Sequence, residues 1–199
     1  MIVRSLPLVL AVILYGSLAF GQDLLRTGID AYRRGDYPEA LKVFRILADR
    51  GLANGQNTLG ILYARGQGVA VDHVEAVKWF RKAAAQGHAA SQHNLGFAYF
   101  TGKGVPADNA AAARWFRLAA ERGLARAQYN LGHLYDRGYG VPQDDFRAFV
   151  WTSLAAEQGY VQAAGLRDAA RLRLSPAELA RAEDLIGKIW ERIRAAQQR

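Results

Sequence analysis

The stretch AASQHNLGFAYFTGKGVPADNAAAARWFRLAAERGL, residues 89–124, recurs on both sides at a spacing of 36 residues. A leucine-glycine pair, a tyrosine, two loop glycines, an aspartate, a tryptophan and a closing glycine return in register. The first of these columns are Leu59, Leu95 and Leu131, then Gly60, Gly96 and Gly132, then Tyr63, Tyr99 and Tyr135. A period of this length is typical of stacked supersecondary units and not of one closed core. The sequence therefore predicts repeat units at 53–88, 89–124 and 125–160.

Each unit is predicted to contain two helices joined by a glycine-containing loop, and in the central copy these are 89–101 and 109–122. Leu95, Gly96 and Tyr99 lie on one side of the first helix, as a packed stripe requires. A glycine inside a helix costs about 1 kcal/mol relative to alanine. Its return at one position in all three copies indicates that a large side chain, such as the repeated tryptophan, packs against it.

The loops between the two helices carry residues that end one helix and begin the next. The glycine after each first helix is predicted to end it, because a left-handed residue is favoured there. The loop aspartate is predicted to cap the second helix, and Asp72 with Glu75 is predicted to form a capping box. These glycines are Gly66, Gly102 and Gly138, and these aspartates are Asp72, Asp108 and Asp144.

The repeated columns read A-x-x-Q-x-x-L-G-x-x-Y-x-x-G-x-G-V-x-x-D-x-x-x-A-x-x-W-x-x-x-A-A-x-x-G over 53–160. This pattern resembles the Sel1-like repeat, a relative of the tetratricopeptide repeat. The resemblance implies an all-α fold, an α/α superhelical solenoid of Sel1-like or TPR-like helix hairpins, which usually serves as a protein-interaction scaffold. It does not imply any one partner, because repeat families of this kind are functionally diverse.

Residues 1–21 are predicted to be a secretory signal peptide. Arg4 precedes an apolar run over 6–20, and Ala-Phe-Gly at 19–21 favours cleavage before Gln22. The alternative is an uncleaved membrane anchor, but the run is shorter than the span of about 20 residues that a membrane helix needs. We therefore expect an exported protein, periplasmic or secreted, without stable membrane insertion after the signal is cleaved.

Two further segments flank the three clear units. Residues 22–52 are predicted to be a degenerate first unit, whose loop Gly35-Asp36-Tyr37 is similar to a tetratricopeptide turn. The period fades over 161–199, but an amphipathic helical pattern persists there, with a capping box from Ser175 to Glu178. This segment is predicted to be a C-terminal capping hairpin, so that 22–199 form a single α-solenoid.

The sequence contains no motif that indicates catalysis. There is no cysteine, and no serine lies in a G-x-S-x-G motif. The four histidines lack the spacing of a metal site. The loop glycines join two helices, whereas a phosphate-binding loop follows a strand. We therefore predict no cofactor, no metal and no catalytic residue, and a protein that is not an enzyme.

The chain carries a formal net charge of +8. Its arginines are scattered over the predicted helices and interleaved with aspartate and glutamate, which is not the clustered pattern of a nucleic-acid-binding protein. Nucleic acid is therefore not predicted as a partner. A basic balance is better explained by attraction to acidic proteins, anionic lipid or acidic polysaccharide.

One set of positions on the first helices differs between the copies while the packing columns repeat. In the families that the sequence resembles, this side of the helix lines a concave groove, and aromatic, imidazole and arginine side chains are common at interface hot spots. The predicted partner-binding groove consists of Asn54, Asn57, Ile61, Arg65, His93, Phe97, Phe100, Arg126, Tyr129, His133 and Asp136. The alternative interpretation is that Phe97 and Phe100 are buried between neighbouring units.

The leading functional hypothesis is a non-enzymatic adaptor in the bacterial cell envelope that binds a segment of a partner protein in this groove. The alternative is a cell-wall-directed protein that binds or hydrolyses peptidoglycan. An acidic cluster in a closed pocket would favour that alternative, and an open groove lined by Phe97, Phe100 and Tyr129 would favour the adaptor. The basic charge alone suggests a third hypothesis, a structural role in polysaccharide export.

Overall fold

The structure is a computed structural model that describes residues 22–198. The predicted signal peptide, 1–21, lies outside the described residues. Over 22–198 the chain forms helices without any strand, which confirms the all-α prediction. The helices are α1 (22–33), α2 (Tyr37–Asp49), α3 (Ala53–Arg65), α4 (His73–Ala85), α5 (Ala89–Thr101), α6 (Asn109–Ala120), α7 (Ala125–Arg137), α8 (Asp145–Glu157), α9 (Gln162–Arg171) and α10 (Pro176–Gln197).

The chain divides into two compact units, with the boundary after Lys82 in α4. The first unit has a core built on Phe44, Leu47 and Leu59, and the second has a core that includes Phe116. In the second unit, each helix from α5 to α8 packs against the next one along the chain. Packing between sequential helices is typical of a repeat solenoid, and it confirms the predicted solenoid of helix hairpins.

The two helices of each repeat meet at the helical glycine. A Cβ atom built at Gly96 would lie 2.7 Å from Cδ1 of Phe116, which is closer than real Cβ contacts allow. The corresponding pairs in the other copies are Gly60 with Phe80 and Gly132 with Thr152. The prediction that the tryptophan occupies this space is wrong. The residue that follows the tryptophan fills the gap instead. The tryptophan itself points about 100° away from that residue round the helix and remains partly exposed.

The loops follow the predicted capping scheme. Gly102 ends α5 with φ of 70°, in the left-handed region, and the equivalent glycines end α3 and α7 in the same conformation. The side chain of Asp108 accepts a hydrogen bond from the backbone N–H of Ala111 at 2.9 Å. Asp72 and Asp144 make the same contact at the start of α4 and α8. The predicted glycine ends and aspartate caps are therefore confirmed.

The capping box predicted at Asp72 and Glu75 is wrong. The backbone N–H of Asp72 donates to the carbonyl oxygen of Tyr63 at 3.0 Å, so it is not available to Glu75. The Glu75 carboxylate instead accepts from Nζ of Lys78 at 2.8 Å. The same backbone bond joins the loop aspartate to the repeat tyrosine in the other two copies, at 2.9 and 3.0 Å. This bond closes the loop over the end of the first helix.

A buried glutamine connects each repeat to the helix that precedes it. In each case the side-chain Nε2 donates to the carbonyl oxygen eight residues earlier, at 3.2 to 3.3 Å. The pairs are Gln56 with Ala48, Gln92 with Ala84 and Gln128 with Ala120. Each of these carbonyls also accepts from the backbone N–H of the closing glycine three residues later, so the glutamine adds a second, buried hydrogen bond at the end of the helix.

The C-terminal helix α10 packs on α8. It starts with the predicted capping box, in which Ser175 and Glu178 bond reciprocally. The guanidinium of Arg181 lies 5.5 Å from the ring of Phe146 near the start of α8. Further along, the indole N–H of Trp190 donates to the last residue of α8, Glu157. Helix α10 therefore follows α8 in the same direction along its length.

We expect Gly96→Ala and Gly187→Ala to shift stability in opposite directions. The new methyl group at position 96 would collide with Phe116, and overpacking of this kind costs about 1 to 3 kcal/mol. Gly187 lies in α10 with nothing within 4 Å of an added Cβ, so alanine there should stabilise the helix by about 0.5 to 1 kcal/mol. Urea denaturation of both variants and the wild type measures the difference. Similar midpoints for the two variants would show that the close approach at Gly96 is not required.

Candidate functional site

The predicted groove residues lie on the first helices of the three repeats. Asn54, Asn57, Ile61 and Arg65 lie on α3 in the first compact unit. The others lie in the second unit, with His93, Phe97 and Phe100 on α5 and Arg126, Tyr129, His133 and Asp136 on α7.

The α3 set presents little apolar surface. Asn54 and Arg65 are exposed and Ile61 is partly buried, but Asn57 is only 9% exposed. The prediction that Asn57 faces a partner is therefore corrected, since its position on α3 turns it towards the interior. Arg65 donates to the hydroxyl oxygen of Tyr32 at 3.2 Å, so it ties α3 to α1 within the unit.

On α5, Phe97 and Phe100 have different surroundings. Phe97 is 47% exposed, which is high for a phenylalanine. Phe100 is half-buried, packs against the core of the second unit, and has its ring centre 6.5 Å from that of Tyr139. Of the two interpretations left open by the sequence, exposure is right for Phe97, whereas Phe100 is largely a packing residue.

His93 is also a packing residue, which corrects the prediction that it faces a partner. Its ring centre lies 5.5 Å from that of Phe116, the side chain that fills the glycine gap. The side-chain N–H of Asn130 lies 3.0 Å from Nε2 of His93. Because an amide nitrogen only donates, Nε2 accepts and the ring is neutral. His93 therefore supports the surface from below.

Near Phe97, ring side chains from α5, α7 and the turns after α7 and α8 contact one another. Tyr129 and His133 are stacked, with ring centres 6.4 Å apart and planes inclined by 16°. Tyr160 lies 5.3 Å from Tyr129, and Tyr139 lies 6.1 Å from His133. We call Phe100, Tyr129, His133, Tyr139 and Tyr160 the aromatic cluster. Ring contacts of this kind hold the side chains in fixed orientations.

An open cleft of about 550 Å³ lies between α7 and α9 beside the aromatic cluster. It is lined by Tyr129, His133, Asp136, Arg137, Gln143, Gln162, Gly165, Leu166, Ala169 and Arg173. The guanidinium of Arg173 contacts Asp136 at 2.5 Å and Asp145 at 2.8 Å. This bridge joins the residues after α9 to both α7 and α8, and therefore fixes the width of the cleft.

Sequence reasoning missed the α9 wall of this cleft. Gln162, Ala169 and Arg173 stand 36 residues after Arg126, His133 and Arg137, so they continue the variable positions of the repeat. The repeated packing residues, on which the assignment depended, are lost in α9. The 36-residue spacing of these variable positions was the signal that could have identified α9 as a wall of the cleft.

A hollow of about 40 Å³ lies on the other side of His133, between α5 and α7. It is lined by Phe97, Phe100, Phe116, Asn130, His133 and Leu134. A single water requires about 10 to 15 Å³ on this scale. The hollow is mainly apolar and has room for a small aliphatic side chain.

Within residues 22–198, no group of three or more His, Cys, Asp or Glu side chains is placed to hold a metal ion. None of the helices in this part of the chain combines the length and apolarity that crossing a membrane requires.

Comparison with known proteins connects this arrangement to a family. The family model described as Sel1 repeat matches residues 53–88, 89–124 and 125–160. A solved Sel1 repeat protein from Oxalobacter formigenes is 35% identical, with a TM-score of 0.66, and the match covers 69% of this chain and 56% of that one. Another, c5321, is a protective antigen of uropathogenic Escherichia coli strains displaying an SLR fold. It is 32% identical, with a TM-score of 0.58, over 80% of this chain and 43% of that one.

The chain therefore spans about half the length of these two solved structures. A search of curated proteins found no match.

Burial lowers the pKa of His93 to about 4, because a charged imidazolium is poorly solvated there. Arg126 acts in the same direction, and a hydrogen bond with Asn94 opposes it. Burial also lowers the pKa of His133, assisted by the positive charge of Arg137. Both rings are therefore neutral at pH 7.

Replacing His93 by glutamine is expected to reduce the loss of stability in acid. The pKa of His93 is about 4 in the folded protein, below its ordinary value of 6.5. The unfolded chain therefore binds more protons between these values, and the free energy of unfolding falls as pH drops through that window. A shift of this size corresponds to at most about 3 kcal/mol. Urea denaturation at about pH 7 and pH 4.5 should show a smaller loss for H93Q than for the wild type, and equal losses would contradict the expectation.

Proposed function

The chain belongs to the Sel1 repeat family, and on that basis we propose that it is a non-catalytic scaffold, whose place in the bacterial cell envelope we infer from residues 1–21. Sel1 repeat proteins generally mediate protein–protein interactions. In this chain the scaffold holds a segment of a partner protein against the first helices of its repeats, on the surface formed by Phe97, the aromatic cluster and the cleft.

The exposed ring of Phe97 is the observation that carries this proposal. Phe97 is 47% exposed, and a partner that covers it would remove apolar surface from water, which is favourable. It stands beside rings that are already held in place, so little side-chain freedom is lost on binding. Aromatic side chains on rigid supports are typical of interface hot spots.

The cleft has the shape and chemistry expected of a scaffold. It is open along α7 and α9, and Asp136 is the carboxylate among its lining residues. That carboxylate is paired with Arg173 and Arg137. Acid–base hydrolysis of a glycan uses two carboxylates that flank the scissile bond, and the lining offers no second one. The lining thus favours the scaffold over the hydrolytic form of the cell-wall-directed alternative.

The scaffold proposal predicts that a photo-crosslinking residue at position 97 captures a discrete partner protein from envelope extracts. The same residue at position 118 is the matched control, since Leu118 is 38% exposed on the second helix α6. Phe97→Ala should weaken binding of the captured protein by roughly 2 kcal/mol without changing the melting curve. Identical adducts from positions 97 and 118, or unchanged binding by Phe97→Ala, would contradict the proposal.

We propose further that the protein acts outside the cytoplasm, in the periplasm or after secretion. The support is the sequence of 1–21, where Arg4 precedes an apolar run that ends in Ala-Phe-Gly. This is the pattern of a cleavable signal peptide.

N-terminal sequencing of the protein recovered from its producing cell should therefore start at Gln22. The reason is that small residues at 19 and 21 fit the cleavage-defining positions of signal peptidase. Full-length protein that stays in the membrane after a carbonate wash would instead identify the segment as an anchor.

A further inference from the structure

Two arginines of the second unit meet at one tyrosine hydroxyl. Nη2 of Arg117 on α6 donates to the hydroxyl oxygen of Tyr135 on α7 at 2.7 Å. Nη1 of Arg147 on α8 donates to the same oxygen at 3.2 Å. The two guanidinium groups are therefore close neighbours, and three helices each contribute one side chain to this point.

The hydroxyl group of Tyr135 keeps a proton for which the protein supplies no acceptor. A guanidinium only donates, and a hydroxyl oxygen has two lone pairs, so the two arginines occupy both of them. Within residues 22–198, no oxygen or nitrogen is placed to accept the O–H proton. Tyr135 is only 2% exposed, and a buried donor without an acceptor costs free energy. The point where the arginines meet thus offers donors and lacks an acceptor.

The charges at this point do not cancel. Asp144 is paired with Arg147, with its Oδ2 atom 3.2 Å from Nε. Arg117 is partly buried and makes no ion pair with any carboxylate in the part of the chain that the structure describes. Charges that are withdrawn from water are normally paired. One positive charge beside the tyrosine therefore lacks a counterion.

The first repeat shows that the second arginine is not needed for packing. There Arg45 donates to the hydroxyl oxygen of Tyr63 at 2.6 Å, across the same 18 residues that separate the pair in the third repeat. The position that corresponds to Arg147 holds Glu75 in the first repeat and Ala111 in the second. The bond between arginine and tyrosine thus forms without a second guanidinium, which the third repeat adds.

We propose that Arg117, Tyr135 and Arg147 form a binding site for an oxyanionic group, a phosphate or a carboxylate. Oxygens of such a group accept from the tyrosine O–H and from the N–H groups of the arginines that remain unused, in the geometry that suits a guanidinium fork. The anion supplies both the missing acceptor and the missing negative charge. The side chain of Arg147 is 57% exposed, so the site is reached from solvent on that side.

This site goes beyond the proposed scaffold function and does not depend on it. None of the three side chains is among those that line the cleft or the hollow. A partner held at Phe97 and an anion held at Tyr135 are therefore separate events, and each is measured without the other.

The test follows the arginine side chains of the full chain by NMR. Protein labelled with ¹⁵N is titrated with sodium phosphate and, separately, with sodium acetate, and sodium chloride keeps the ionic strength constant so that screening does not change. The Nε–Hε resonances of Arg117 and Arg147 should shift and saturate with a Kd of about 1 to 10 mM for at least one of the two anions. The comparison of the two titrations shows whether the site prefers phosphate or carboxylate.

Three variants make the test specific. Arg147→Gln should weaken binding about fivefold or more without loss of the fold, because the first repeat lacks an arginine there. Tyr135→Phe keeps the buried ring and removes the hydroxyl donor, so it should also weaken binding. Arg114→Gln removes the same charge from an exposed position on α6 and should leave the affinity unchanged.

The other results would overturn the proposal. These are no saturable shift with either anion up to about 100 mM, shifts spread over all arginines alike, or equal affinities of the Arg147→Gln and Arg114→Gln variants. The wild-type titration decides by itself if a variant does not fold, because saturable shifts must be confined to Arg117 and Arg147. Capture of a partner at position 97 has no bearing on this result, so the scaffold and the anion site fail independently.

Discussion

The contact between a helical glycine and a side chain of the second helix is the constraint on which each repeat depends. At Gly96 the ring of Phe116 occupies the volume that any other residue would fill with its Cβ atom. The two helices can therefore approach closely, and Leu95 is fully buried beside the contact. Because this contact fixes which side of α5 faces inward, it also determines that Phe97 points outward. The position of the proposed binding surface thus follows from a glycine about 100° away round the helix.

Much of the fold could be predicted because the period repeats each helix and loop three times. The helix ends followed from the glycines and aspartates, whose conformational and hydrogen-bonding preferences are local. The errors arose where two neighbouring residues could satisfy the same pattern. The sequence did not distinguish the repeated tryptophan from Phe116 beside it as the side chain that fills the gap. The prediction of a capping box at Asp72 was wrong because the backbone N–H of Asp72 donates to Tyr63, nine residues earlier. The spacing of residues at the start of the helix gives no sign of that bond.

The surface was predicted less completely than the fold. Helical spacing identified the face that carries Phe97 and Tyr129, but it assigned to that face Asn57 and His93, which tertiary packing largely buries. It also missed the cleft. That space exists because α9 has small residues such as Ala169 where α7 has His133. A void between helices is a property of the pair, and no pattern within one helix reveals it.

The separation of packing and facing positions has a consequence for how such a protein can evolve. Phe97 contributes to the surface while the glycine contact and the buried Gln128 hold the helices together. Under the proposed function, selection can therefore alter partner preference at Phe97 with little penalty in folding. Phe100 and His93 are different, because they lie close to the surface and also pack against the core of the second unit. A lineage that changes recognition there must acquire compensating substitutions in the core, and these two positions should therefore diverge more slowly than Phe97.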